Sequence, residues 1–152
     1  METLKISGHG ISLNLPPAWE GRIYQRPQGF PIVHAGSFAL PADDADFGSG
    51  AIIAMGTTDV FAALLEYDPV LAGTGIFAPP GLPLPIRAAE TSPKTLQRLV
   101  RGRTAVQRFF TQSGRAFCLY VVFPSNAWLQ RKIAETNRIL ATVTIDPRSD
   151  TR

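Results

Sequence analysis

Two apolar segments joined by a short polar turn predict a β-hairpin late in the chain. The second segment, residues 117–123, has no charge and is rich in aromatic and β-branched side chains, which favour strands. Both of its alternating faces are apolar, so we expect this strand to lie inside a sheet that is covered on each side. The first segment, residues 106–110, includes Gln107 and Arg108, which predicts a position nearer an edge.

The turn predicts the register of this hairpin. If residues 113–114 form a two-residue turn, Phe110 lies opposite Phe117 and Val106 lies opposite Val121. Each such cross-strand pair contributes about 0.2–1 kcal/mol. The hairpin is therefore expected to specify much of the fold.

An amphipathic helix is predicted over residues 126–140, covering the hairpin. Leu129 and Ile133 begin an apolar stripe at helical spacing, and Ser125 is a suitable N-cap residue. Residues 141–145 are rich in β-branched side chains and predict a short closing strand.

The first half of the chain predicts several short strands and one helix. Thr58 resembles an N-cap, Phe61, Leu64 and neighbouring apolar residues form one helical face, and Pro69 ends the pattern. Alternation and apolar content predict the other elements as strands. The predicted strands are residues 4–7, 11–15, 22–26, 32–40 and 51–55.

Residues 71–85 form an uncharged segment rich in proline and glycine. Because long loops are usually polar, this one is expected either to pack as an apolar flap over a sheet face or to expose a surface for a partner. Residues 92–101 are left unassigned, because their apolar residues fit a helix whereas their position before the hairpin favours a strand. The candidate partner-binding residues are Ile76, Phe77, Leu82 and Arg108.

The length of 152 residues is that of one ordinary domain, so residues 1–152 are expected to fold as a unit. Hydrophobic residues make up 45% and charged residues 18%, which excludes a disordered chain. No apolar run is long enough for a membrane span, and the beginning of the sequence does not resemble a signal peptide. A cytoplasmic location is expected, and the single cysteine excludes an internal disulfide.

The charge is unevenly distributed along the chain. Residues 27–86 contain no Lys or Arg, and residues 91–134 contain no acid. This asymmetry is typical of a protein that binds an anionic partner. It also arises when the two halves of a chain interleave in one sheet, so that their opposite charges neutralise each other. Arginines without an interleaved aromatic pattern do not favour nucleic-acid binding.

The candidate catalytic and metal-ligating residues do not form a recognisable motif. Asp44 and Asp46 resemble the start of a calcium loop, but Met55 stands where the bidentate glutamate is required. Cys118 with His34 as base is a possible nucleophilic pair. A cysteine in the middle of a buried strand is usually inert, so a core position is favoured, and no metal or cofactor is expected.

Two stretches resemble the PsbP/Mog1-like family: LNLPPAW at residues 13–19 and the strand–turn–strand–helix–strand that ends in NRILATV at residues 137–143. The resemblance implies an α+β fold, with a central antiparallel sheet of about six strands flanked by helices in an α/β/α sandwich. Members are mostly non-enzymatic, among them an extrinsic photosystem subunit, a nuclear-transport factor and bacterial accessory proteins. No family functional residue is matched in this chain.

The resulting expectation is a non-enzymatic accessory or protein-interaction domain that binds an unknown protein partner or forms a homodimer. The abundance of Ala, Pro and Arg over Lys favours a bacterial source. The alternative is a small-molecule-binding protein or enzyme with a pocket between the sheet and residues 71–85, near Tyr24, His34 and Tyr120. Binding of an anionic polymer is a third hypothesis.

Overall fold

Eight strands and two helices make up the regular structure of residues 2–148, which the computed structural model describes. The strands are β1 (Leu4–Gly8), β2 (Ile11–Leu15), β3 (Glu20–Tyr24), β4 (Ile32–Gly36), β5 (Phe61–Tyr67), β6 (Arg103–Gln112), β7 (Arg115–Pro124) and β8 (Thr144–Ile145). The helices are α1 (Ser49–Ala54) and α2 (Leu129–Leu140). Short 3-10 turns cover Pro69–Leu71, Gly75–Phe77, Ala88–Glu90 and Pro93–Thr95.

The strands form two antiparallel sheets, and the predicted α+β sandwich is wrong. The small sheet has the order β1-β2-β8, and the large sheet has the order β3-β4-β5-β7-β6. The fold is mostly β, rather than one sheet of about six strands between layers of helices. Within residues 2–148, α2 is the only α-helix longer than six residues.

Two predicted elements in the middle of the chain have the wrong type. The predicted helix that began near Thr58 is β5, which lies between β4 and β7 and is buried from Phe61 to Glu66. A short, wholly apolar run does not distinguish a buried strand from a helix. The predicted strand at residues 51–55 is mostly helix α1, because the Asp44 carboxylate accepts hydrogen bonds from the Gly50 and Ala51 N–H groups (2.8 and 2.9 Å).

The predicted hairpin is confirmed, including its register. Phe110 pairs with Phe117 and Val106 pairs with Val121. The turn residues Ser113 and Gly114 both have positive φ, at 55° and 73°, as a type I′ turn requires. β7 is buried along its whole length, and β6 lies at an edge of the large sheet, as expected.

The large sheet separates two apolar cores. On one face, Phe117 and its alternate neighbours in β7 pack with the small sheet, α2 and Trp19. Trp19 is buried in this core. On the other face, Tyr120 and Val122 pack with α1 and Leu96. The two faces of β7 thus organise both halves of the domain.

Helix α2 has the predicted apolar stripe but begins later than expected. Ile133, Thr136 and Leu140 are buried, and the helix begins at Leu129. The predicted cap at Ser125 is not used. Instead, the side-chain oxygen of Asn126 accepts a hydrogen bond from the Trp128 N–H (2.8 Å).

Residues 71–85 cross the edge of the large sheet at β6 and contact both of its faces. Phe77 packs against Phe109 on the α1 side, whereas Leu82 packs against the core on the α2 side. Between them, Pro80 forms a bridge to Thr111, whose hydroxyl donates to the Phe77 carbonyl (2.6 Å). The segment is neither a flap over one face nor a fully exposed surface. Residues 92–101 begin with an isolated antiparallel bridge from Ser92 to Ala105, include one 3-10 turn, and contain no longer helix or strand.

A buried ion pair connects the two sheets. The Arg115 guanidinium donates to both carboxylate oxygens of Glu66 (3.1 and 2.6 Å), and both side chains are essentially inaccessible to solvent. Arg115 also donates to the carbonyls of His9 in the β1–β2 turn and Asp146 after β8, each at 2.9 Å. Arg148 donates to the same carboxylate at 2.8 Å. Glu66 and Arg115 belong to the large sheet, so these contacts fix the small sheet against it.

Candidate functional site

The loop over residues 41–48 covers the α1 side of the large sheet and is held by charged contacts. Asp44 caps α1, as described above, and its carbonyl accepts a hydrogen bond from Arg26. Arg26 also forms an ion pair with Asp46, and its guanidinium lies 5.0 Å from the centre of the Tyr24 ring. These contacts connect the loop to the end of β3.

His34 is buried beneath this loop and has a structural contact. Its Nε2 lies 2.8 Å from the Asp46 carbonyl, which can only accept, so Nε2 carries the proton. Its ring contacts those of Tyr24 and Phe61 edge-on, with centroids 5.5 and 5.2 Å apart. Burial lowers the pKa of His34, which favours the neutral imidazole.

A cavity of about 520 Å³ opens beside the loop, between α1 and residues 97–100. We call it the α1 groove. Its walls are mainly apolar, and one residue at its edge, Ile53, is 72% exposed. The residues that matter most for its chemistry are Phe47, Ile52, Ile53 and Val100 on the walls and Arg26 and Arg98 among the polar groups.

Tyr120 anchors two sides of the α1 groove to the large sheet. The Phe47 ring packs edge-on against the Tyr120 ring, with centroids 5.3 Å apart. The Tyr120 hydroxyl accepts a hydrogen bond from the Gln97 N–H (2.9 Å). Residues on both sides of the groove are therefore fixed by a side chain that is itself fully buried.

The charges in the α1 groove are unequally compensated. Arg26 is paired with Asp46, which also lines the groove. Arg98 lines the groove as well, but it forms no ion pair with any residue that the structure describes. The groove therefore combines apolar walls with one uncompensated positive charge.

A second cavity, of about 510 Å³, lies beside the buried ion pair and has a polar lining that includes Arg115, Asp146 and Arg148. All three nitrogens of the Arg115 guanidinium already donate to protein oxygens. The positive charge of Arg115 is compensated by Glu66, so a bound anion would have to compete with that carboxylate. The α1 groove is the better candidate for a ligand.

The four residues predicted to bind a partner do not form one exposed surface. Ile76 is 60% exposed, but Phe77 is only 5% exposed. Leu82 is half-buried on the opposite face of the sheet. Arg108 forms an ion pair with Glu90 (2.9 Å). Neither of the two cavities near 500 Å³ is lined by residues 71–85, where the sequence predicted a pocket.

Cys118 has the expected core position. It is buried, and burial raises its pKa to about 11, so the thiol is protonated at neutral pH. Its sulfur accepts a hydrogen bond from the Gln107 side chain (3.4 Å). The hydrogen bond of His34 goes to Asp46 instead, so the structure does not couple Cys118 to His34.

Residues 2–148 contain neither a metal-binding cluster nor a membrane-spanning helix. No group of three or more His, Cys, Asp or Glu side chains is placed to hold a metal ion. None of the helices in this part of the chain has the length and apolar character that crossing a membrane requires.

Comparison with known proteins finds no matching family model, no matching curated protein and no matching solved structure. The resemblance to the PsbP/Mog1-like family therefore stays a prediction. Functional inference depends on the geometry and chemistry of this chain's own residues.

Proposed function

We propose that the protein is a non-enzymatic binding domain that holds a small, largely apolar molecule in the α1 groove. The observation that carries this proposal is a mainly apolar cavity of about 520 Å³. Small-molecule sites typically have volumes of about 300–1,000 Å³, apolar walls and a few polar groups. A ligand in this groove would also shield Ile53, whose side chain is otherwise 72% exposed.

The state of the nearby reactive groups supports binding rather than catalysis. His34 has a lowered pKa, and its Nε2–H group donates to the carbonyl of Asp46 in the loop that covers it. The Cys118 thiol is protonated and lies within the sheet. A general base or nucleophile needs access to the reacting atoms, and neither side chain lines the α1 groove.

The proposal is tested with the neutral dye N-phenyl-1-naphthylamine, whose fluorescence increases in apolar surroundings. We expect saturable binding to the wild-type protein. Ile53→Asp should weaken binding by about tenfold or more, because a carboxylate at the groove edge would be desolvated by the bound dye. Titration of fluorescence against protein concentration gives the Kd.

Leu4→Asp is the matched control, since Leu4 is similarly exposed (69%) but lies in β1 and does not line the groove. Its Kd for the dye should equal that of the wild type. Failure of the wild-type protein to bind the dye, or an equal loss in both variants, would exclude the groove as the binding site.

A second candidate function is self-association through residues 70–76. Val70 is 75% exposed and Ile76 is 60% exposed. Residues 69–86 carry no charged side chain. A two-fold contact places each residue near the same surface of the second copy, so two copies of this segment would meet without repulsion between like charges. This observation favours a second copy of the chain as the occupant.

Ile76→Asp tests this second candidate by analytical ultracentrifugation. We expect a concentration-dependent dimer for the wild type and for Leu4→Asp, and a monomer for Ile76→Asp, because two carboxylates would face each other across the contact. A wild-type protein that stays monomeric at every concentration, or a dimer unaffected by Ile76→Asp, would rule out the contact.

A further inference from the structure

We propose that the ligand of the α1 groove is a small amphipathic anion with an apolar body and one anionic head, and that Arg98 binds this head. This inference rests on the proposed function, because it requires that the groove binds a ligand. It adds the chemical class of the ligand and assigns a role to a residue outside the sequence-predicted site.

The α1 groove carries an unbalanced positive charge. Arg26 and Asp46 compensate each other through their ion pair, and Arg26 is further held over the Tyr24 ring. Asp46 is the only acidic residue among those that line the groove. Arg98 has no carboxylate partner within the described residues, so the lining carries one unbalanced positive charge.

Arg98 lies at the exposed edge of the groove, beside its apolar walls. Arg98 is exposed, and it follows Gln97, whose N–H is fixed by the Tyr120 hydroxyl. The buried Ile52 lies deeper in the groove. The groove is thus apolar at its base and cationic at one exposed edge, which complements a ligand with an apolar body and an anionic head.

The surroundings strengthen the preference for an anion. Lys94 and Arg101 lie on the same segment as Arg98, and residues 91–134 contain no acid. A surface with one sign of charge raises the local concentration of oppositely charged ligands. The planar guanidinium matches the oxygens of a carboxylate, sulfonate or phosphate, and such charge-assisted bonds are about twice as strong as neutral ones. An amphipathic cation would instead place a like charge beside Arg98.

Two dyes that share one apolar body test this inference. The dyes are 8-anilino-1-naphthalenesulfonate, which carries a sulfonate, and N-phenyl-1-naphthylamine, which lacks it. We expect the wild-type protein to bind the sulfonate about tenfold more tightly, as a gained charge-assisted contact allows. Arg98→Gln should remove this advantage and leave the Kd of the neutral dye unchanged.

Arg138→Gln is the matched control, because it changes the net charge equally but lies on α2, which covers the opposite face of the large sheet. It should retain the tenfold preference. Equal binding of both dyes by the wild type, or an equal effect of both arginine variants, would overturn the role of Arg98 while leaving groove binding intact. If neither dye binds, the proposed function fails as well.

Displacement of the neutral dye from the wild-type protein extends the test to carboxylates. Decanoate has an aliphatic body and 2-naphthoate has an aromatic one, so their relative potency identifies which body fits. Either should displace the dye at a lower concentration than decan-1-ol, the neutral counterpart of decanoate. If decan-1-ol is at least as potent as both carboxylates, the preference for an anion is refuted.

Discussion

Replacing Arg115 by methionine is expected to lower the free energy of unfolding by about 3–5 kcal/mol. The substitution leaves the buried Glu66 carboxylate without its bidentate partner, although Arg148 still reaches one oxygen. It also removes the hydrogen bonds to the His9 and Asp146 carbonyls, which join the small sheet to the large one. Urea unfolding followed by far-UV circular dichroism measures the loss.

Two variants control for the nature of this effect. Arg138→Met replaces an exposed arginine on α2 and should change the free energy of unfolding by less than about 0.5 kcal/mol. The double variant Glu66→Gln/Arg115→Met should be more stable than Arg115→Met alone, because it removes a buried carboxylate that would otherwise have only Arg148 as its partner. If Arg115→Met costs no more than Arg138→Met, the ion pair does not hold the sheets together.

Phe77→Ala is expected to lower the free energy of unfolding by about 3–5 kcal/mol, the usual cost of removing a buried aromatic ring. The Phe77 ring packs between those of Tyr67 and Phe109, with centroids 5.2 and 5.5 Å away. This loss would show that part of residues 71–85 belongs to the core. The measurement is the same urea unfolding experiment.

The neighbouring residue provides the control for Phe77→Ala. Ile76 is 60% exposed, so Ile76→Ala should change the free energy of unfolding by less than about 0.5 kcal/mol. Equal, small effects at both positions would mean that the segment does not anchor to the sheet edge. A large effect at Ile76 would mean that its exposed surface is covered in solution.

The hairpin was predictable because its signals are local and agree with one another. The turn residues require positive φ, the apolar run of β7 excludes an exposed strand, and the turn then sets the pairing of Phe110 with Phe117. The apolar stripe of α2 was predictable for the same reason, since twelve residues are enough to show a helical period.

The middle of the chain was not predictable, because its elements are short and their signals are ambiguous. The apolar residues of β5 are buried on both faces and show no period, so helix and strand fit equally well. Helix α1 has six residues, and it is capped by Asp44, which lies five residues before Ser49 rather than beside it. The β5 assignment added a helix that the fold lacks, and the expected sandwich itself came from the resemblance to the PsbP/Mog1-like family.

The α1 groove was missed because its residues come from three separate segments. Arg26 follows β3, Ile53 belongs to α1, and Arg98 lies in a region whose structure the sequence left open. The Glu66–Arg115 pair was missed for a related reason, since its members are 49 residues apart. Long-range proximity of this kind follows from the sheet order, which local patterns do not contain.

Groove binding is tested most directly by mapping the amide shifts of isotope-labelled protein on addition of N-phenyl-1-naphthylamine. We expect the largest changes in α1, in residues 45–49 and in residues 97–100, which surround the groove. Ile53→Asp should reduce these changes at the same dye concentration. Shifts confined to residues 70–76, or no saturable shifts at any concentration, would contradict ligand binding in the α1 groove.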